Sequence, residues 1–177
     1  MIFLTGFMGS GKSTIGPILA NVLGYDFVDS DRAIERAMGM TVNEIFLESG
    51  EGYFRGIERE FLAGLQNHQH HVISLGGGSI LDEQGFQIVA SSGILVYLKS
   101  SPGNIYRRIY HREDRPVLKD PAGIRLSDEQ LRERVDRLYL EREPLYARAD
   151  FTVVTDDKKV GVTVDEIVRK VLPFLAS

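Results

Sequence analysis

The chain of 177 residues contains no cysteine, which excludes a disulfide framework, a thiolate metal site and a thiol nucleophile. It holds only six lysines and a net charge of −4, so it lacks the strongly basic surface that nucleic-acid binders present. Nucleic acid is not expected as a partner. No Ser/Gly/Pro-rich linker, internal repeat or low-complexity tract divides the chain, and one domain over residues 1–177 is expected. The apolar start, Met1-Ile2-Phe3-Leu4-Thr5, has neither a basic leader nor a long apolar core, and it reads as a first strand. Neither export nor a membrane partner is expected, and a reducing cytoplasm is compatible with the missing cysteines.

What is present is an ordinary globular balance, 43% hydrophobic and 26% charged. Five short β-rich runs, residues 2–5, 25–28, 71–75, 94–98 and 151–154, are each almost continuously apolar, and helical patterns lie between them. Strands buried on both faces look like this, so the fold class is α/β, a parallel sheet covered by helices. Residues 31–66 read as helices, with Gly39 and Ser49-Gly50-Glu51-Gly52 as breaks. That is longer than a crossover needs and predicts a small helical region standing partly off the sheet. Residues 111–125 carry three acids, four basic side chains, two prolines and a glycine, and read as a mobile surface loop. A helix follows from Ser127, its N-cap, to about Ala147, with Asp128 and Glu129 suiting the dipole of its first turn.

The first run leads into Gly6-Phe7-Met8-Gly9-Ser10-Gly11-Lys12-Ser13 and then an apolar helix. Strand, G-x-x-x-x-G-K-S and helix together form a P-loop (Walker A), in which backbone N–H groups converge on phosphate oxygens at a helix N-terminus. Gly6, Gly9 and Gly11 permit close approach of the backbone. Lys12 is expected between the β- and γ-phosphates, and the Ser13 hydroxyl on magnesium. Pro17 falls early in the same helix, where its missing N–H would have bonded to the Ser13 carbonyl, so a slight bend or loosened first turn is expected.

The second run ends in Asp29-Ser30-Asp31, two carboxylates at the ligand-binding edge of a parallel sheet. One would hold magnesium through water and the other orient a substrate hydroxyl; alternatively, one caps the helix starting near Arg32. Arg55 and Glu58 lie three apart on one helix face, as an ion pair on a solvated surface would, or as part of a site. Gly76, Gly77 and Gly78 follow an apolar strand and present bare backbone where something comes close. Ten arginines lie between Arg107 and Arg148; Arg108, Arg115 and Arg142 are the candidates among them. Arg115, before Pro116 in the mobile segment, is placed to swing onto a transferring phosphoryl group. Arg134 and Arg137 are expected on a solvated helix face.

Two other patterns are set aside. His68, His70 and His71 lie together, but no spaced carboxylate completes a metal site. Asp82-Glu83-Gln84-Gly85 matches D-x-x-G, yet no strand leads into it and no N-K-x-D motif occurs, so a GTPase switch is not expected.

Taken in order and spacing, residues 6–14, Phe27-x-Asp29-x-Asp31, Phe54-Arg55-x-x-Glu58, Gly76-Gly77-Gly78, Arg115-Pro116-x-Leu118 and Arg142-x-Pro144-x-Tyr146 followed by Ala149-Asp150 closely resemble the shikimate kinases. These are small P-loop kinases related to the nucleoside monophosphate kinases, and the match covers essentially the whole chain. The resemblance implies a three-layer P-loop fold with a five-stranded parallel sheet of order 2-3-1-4-5, a substrate-binding helical region at about 31–66 and a lid at about 111–125. It implies ATP- and Mg2+-dependent phosphorylation of the shikimate 3-hydroxyl, giving shikimate 3-phosphate and ADP, in aromatic amino acid biosynthesis, by a cytoplasmic monomer. Asp31, Arg55, Gly76, Gly77, Gly78 and Arg142 would hold shikimate, the two arginines on its carboxylate and Asp31 near the attacking hydroxyl. Gly9, Ser10, Gly11, Lys12, Ser13 and Thr14 would bind ATP, with Arg108 flanking adenine and Arg115 reaching from the lid. Lys12, Asp31 and Arg115 would be catalytic, and Asp29 would support magnesium beside Ser13. The family often has Arg or Lys where Pro17 stands and Leu where Val117 stands; neither position touches an implied ligand contact. Rival readings are a small kinase for gluconate or a nucleoside monophosphate, and a nucleotide-binding regulator without turnover.

Overall fold

The computed structural model describes residues 1–65, 69–111, 118 and 124–175. Five strands, β1 (Ile2–Thr5), β2 (Asp26–Asp29), β3 (His71–Ser74), β4 (Ile94–Lys99) and β5 (Phe151–Val154), form one parallel sheet in the order β2-β3-β1-β4-β5. Order and direction agree with the expectation. The helices are α1 (Lys12–Leu23), α2 (Ser30–Met38), α3 (Val42–Gly64), α4 (Glu83–Ser92), α5 (Pro102–Tyr110), α6 (Asp128–Tyr146) and α7 (Val160–Leu175).

Alternation along the central strands sorts the core into two layers, because successive side chains leave a strand on opposite faces. Ile2 and Leu4, with Val96 and Leu98, pack under α1 and α7 among Ile15, Leu19, Val164 and Ile167. Phe3, with Leu95 and Tyr97, faces the other way, toward Leu62 of α3, Val89 of α4, Ile105 of α5 and Val135 of α6. A third, smaller cluster of Ile34, Ile45 and Phe54 joins α2 to α3, so the helices between β2 and β3 have an apolar contact of their own.

Predicted and observed bounds differ at β2, which begins at Asp26 instead of Tyr25. The Tyr25 amide still bonds the Ala20 carbonyl at the end of α1, while Asp29 pairs in register with Ser74 and so remains in the ladder. The predicted breaks lie where expected: Gly39 ends α2 in the left-handed region, and Gly50, at φ 82° and ψ 167°, interrupts α3. Helix α1 runs through Pro17 to Leu23, with the Thr14 and Ile15 amides both bonded to the Gly11 carbonyl.

Helix starts divide the molecule in a telling way. Asp29, Thr41, Asp82, Ser101 and Ser127 each cap a helix by accepting a backbone N–H from its first turn. At α1 the N-cap is Gly11, at φ 108°, and no side chain caps the helix. This helix start, with no side chain across it, opens on a space lined by residues 8–14.

Candidate active site

That space is a cleft of about 480 Å³ at the carboxyl edge of the sheet. Residues 8–14 of the loop line it, together with Asp29, Asp31, Gly77, Arg108 and Thr155. The loop takes its path because its glycines permit it: Gly6, Gly9 and Gly11 have φ of 138°, 78° and 108°. A Cβ at Gly6 would lie 2.6 Å from the Leu98 carbonyl oxygen, so the loop lies directly against β4. Lys12 Nζ donates to the Gly6 carbonyl at 2.6 Å and the Phe7 carbonyl at 3.3 Å. Ser13 and Thr14 are exposed at the cleft. Arg108 reaches back from α5, donating to the Gly9 carbonyl at 3.0 Å and the Thr155 carbonyl at 3.4 Å.

Of the alternatives for the acid pair, the helix cap is the one observed, and it belongs to Asp29. Asp29 Oδ1 accepts from the Arg32 amide at 3.2 Å, capping α2, and the same residue lines the cleft. Asp31, in the first turn of α2, is half-buried. Burial, then the Glu58 and Asp29 charges, push its pKa up to about 6 from 3.8, with Glu35 adding to the rise and Lys12 opposing it.

The ion pair of Arg55 and Glu58 forms, at 2.7 Å, but not on a solvated face: the Glu58 side chain is 2% exposed and that of Arg55 18%. Arg55 also meets Glu51 at 2.9 Å. Burial works against the Arg55 charge, and the two carboxylates more than offset it, so its pKa ends above the ordinary value. This buried pair is turned toward the glycine run. A Cβ on Gly78 would fall 2.0 Å from Arg55 Nη2, one on Gly76 2.5 Å from Asp31 Oδ1, and one on Gly77 3.9 Å from Arg142 Nη1. Three side chains from α2, α3 and α6 thus converge on three consecutive glycines, and a side chain at Gly76 or Gly78 would displace Asp31 or Arg55, whereas one at Gly77 would only touch Arg142.

The turn is itself held. The Gly76 amide donates to Ser30 Oγ at 3.0 Å, and Tyr146 donates its hydroxyl to the Gly77 carbonyl at 2.6 Å. Burial raises the Tyr146 pKa despite the neighbouring Arg142 cation. Arg115 and Pro116 lie outside the described residues, as do residues 112–114, 117 and 119–123 of the expected lid. Leu118, from the same motif, is buried in the core, and its carbonyl accepts from the Leu126 amide at 2.9 Å.

Ser30, Ser79, Tyr146 and Thr155 were not among the expected site residues. Ser30 sits between the two aspartates, and Tyr146 ends the Arg142 motif, so local signals existed for those two. Thr155 carried none: its hydroxyl bonds the Ser10 carbonyl across 145 positions.

The patterns set aside have structural roles. In the D-x-x-G match, Asp82 Oδ1 accepts from the Gly85 amide at 2.8 Å and caps α4, and a Cβ on Gly85 would lie 2.2 Å from the Ser79 carbonyl oxygen. His70 packs edge-on against Tyr25, His71 Nε2 lies 3.9 Å from Asp26, and His68 is outside the described residues. Arg137 is exposed on α6, whereas Arg134 is half-buried.

The shikimate kinase family model matches residues 8–175. A shikimate kinase of Chlorobaculum parvum is 49% identical over 171 residues, which cover 97% of this chain and 91% of the relative. That of Chlorobaculum tepidum is 47% identical over 97% and 90%. Among solved structures, the shikimate kinase of Acinetobacter baumannii in complex with shikimate superposes with a TM-score of 0.86 at 33% identity, over 97% of this chain and 92% of the other. The Bacteroides thetaiotaomicron enzyme gives 0.88 at 30% identity over 97% of each. With near-complete coverage in sequence and structure, this chain belongs to the shikimate kinase family.

Proposed function

We propose that the protein transfers the γ-phosphoryl group of ATP to the 3-hydroxyl of shikimate, giving shikimate 3-phosphate and ADP, as a cytoplasmic monomer. One observation carries the reading: Arg55, Arg142 and Asp31 converge on residues 76–78, and Asp31 and Gly77 line the same cleft as the P-loop. Two guanidiniums suit a carboxylate, and a carboxylate at the cleft suits a hydroxyl. A substrate bearing both groups on one small ring fits the set. No helix among the described residues is long and apolar enough to cross a membrane.

In this mechanism the N-terminus of α1 and the loop residues Gly9, Ser10 and Gly11 receive the phosphates, with Thr14 at their edge. Lys12 leaves the Gly6 and Phe7 carbonyls to meet charge developing on the transferred group. Arg108 flanks the adenine, and Arg115 closes over the phosphates. Arg55 and Arg142 hold the acceptor's carboxylate while residues 76–78 let its ring approach the backbone. Asp31 accepts a hydrogen bond from the 3-hydroxyl and aims its oxygen at the γ-phosphorus; its raised pKa equips it to take the proton as the O–P bond forms. Asp29 and Ser13 line one cleft and offer hard oxygen donors, which fits Mg2+, with Asp29 acting through water. Bound there, Mg2+ would neutralise phosphate charge. Positioning and charge do most of the work, because phosphoryl transfer asks little covalent chemistry of the protein.

The test is ADP release with ATP and Mg2+, offering shikimate, gluconate and nucleoside monophosphates side by side. Release dependent on shikimate is expected, and Lys12→Ala should abolish it. Release with gluconate or a nucleoside monophosphate instead would reassign the acceptor. ATP binding with no turnover on any of them would make the protein a nucleotide-binding regulator.

A further inference from the structure

Ser79 stands one residue past the glycine run, is 2% exposed, and has no place in the chemistry above. Its hydroxyl donates to Glu58 Oε1 and lies 3.0 Å from the Gly76 carbonyl oxygen. The turn does not need that hydroxyl, since its backbone closes on its own: the Ser79 amide bonds the Gly76 carbonyl at 3.2 Å, and the Leu81 amide the Gly78 carbonyl at 3.1 Å. Glu58 depends on it more. With so little exposure, its carboxylate must find partners in the protein, and the two oxygens have one each: Oε1 has Ser79, and Oε2 has Arg55. Rotation of the carboxylate would break both bonds.

Arg55 in turn depends on Glu58. Its other ionic partner, Glu51, has a side chain 68% exposed and holds it weakly. The rings of Phe46 and Phe54, 5.9 and 5.4 Å away, support the guanidinium without fixing its rotation. The chain of constraint therefore starts at a serine that does not line the cleft.

We propose that Ser79 is a positioning residue for the acceptor: through Glu58 it fixes the Arg55 guanidinium in the orientation that receives the substrate carboxylate. The proposal rests on Arg55 being the carboxylate-binding residue of the proposed function. Loss of the hydroxyl leaves Glu58 Oε1 without a partner, and the carboxylate turns to recover one, taking Arg55 with it.

Steady-state kinetics of Ser79→Ala and Ser79→Cys test this, each alone and combined with Glu58→Gln. Ser79→Ala should raise the KM for shikimate about tenfold, the size expected for a hydrogen bond to a charged group. The kcat and the KM for ATP should stay within about twofold. Ser79→Cys, which keeps the volume but donates weakly, should fall between wild type and Ser79→Ala. In the Glu58→Gln background the effect of Ser79→Ala should shrink, because residues acting through one another are not additive. An unchanged shikimate KM, an equal fall in kcat, an undiminished effect in the Glu58→Gln background, or failure of both Ser79 variants to fold would each overturn the proposal. Wild-type protein that releases no ADP with shikimate would overturn the parent reading and this one with it. Wild-type turnover with unchanged variants would overturn this one alone.

Discussion

Burial beside Glu58 and Asp29 holds the Asp31 carboxyl at a pKa of about 6, against an ordinary 3.8. The folded protein therefore binds this proton more tightly than the unfolded chain does. Between pH 3.8 and 6 the native state carries the extra proton, so this group's contribution to stability falls as pH rises and its full cost is present above pH 6. Replacing Asp31 by Asn removes that cost. The variant should be more stable than wild type by on the order of 2 kcal/mol at pH 8, with the advantage vanishing below about pH 4, as denaturant melts at a series of pH values would read. Activity should move the other way. In wild type, kcat/KM for shikimate should fall as pH drops through about 6 and Asp31 gains its proton, and Asp31→Asn should lose turnover at every pH. On the proposed mechanism, the fold accepts a destabilising group where it would serve as the base.

At the scale of elements, Gly16 sets how closely α1 lies over the sheet. A Cβ there would stand 2.3 Å from Phe27 Cε2, a ring atom of β2. Gly16→Ala should force helix and strand apart at an overpacking cost of about 1–3 kcal/mol. For a chain of this size that lowers the melting temperature by about 2–10 °C, which calorimetry would measure. Because β2 ends in Asp29, the same shift should weaken activity as well.

The central strand β1 was legible because it is buried on both faces, and β5, an edge strand with only Val153 buried, because its run is β-rich; residues 2–5 and 151–154 have the same bounds in sequence and structure. Ser127 and Gly39 were legible as ends of helices for local reasons of capping and handedness. Of the site, the P-loop, the acid pair and the glycine run could be read because each is contiguous. The burial of Glu58 could not. Residues 55 and 58 are spaced like any surface pair, and the partner that marks the site as internal, Ser79, lies 21 positions away. Tyr146 and Gly77, 69 positions apart, meet only once α6 has packed across the sheet. Such contacts belong to the tertiary fold, and no local spacing encodes them.

For the molecule as a whole, the capping pattern has a thermodynamic consequence. Five helix starts are capped by side chains, whereas α1 has Gly11 as its N-cap and no side-chain bond, which leaves its N-terminus open to an anion. A nucleotide that supplies phosphate oxygens there binds the native state and not the unfolded chain. At a hundredfold excess over its Kd this adds about 2.7 kcal/mol of stability, and should raise the melting temperature by about 5–10 °C. Lys12→Ala should lose most of that rise, while Asp82→Ala, which removes the cap of α4, should melt earlier yet keep the full increment. No side chain caps the start of α1, where phosphate is expected, so a melting curve serves as a gauge of nucleotide occupancy.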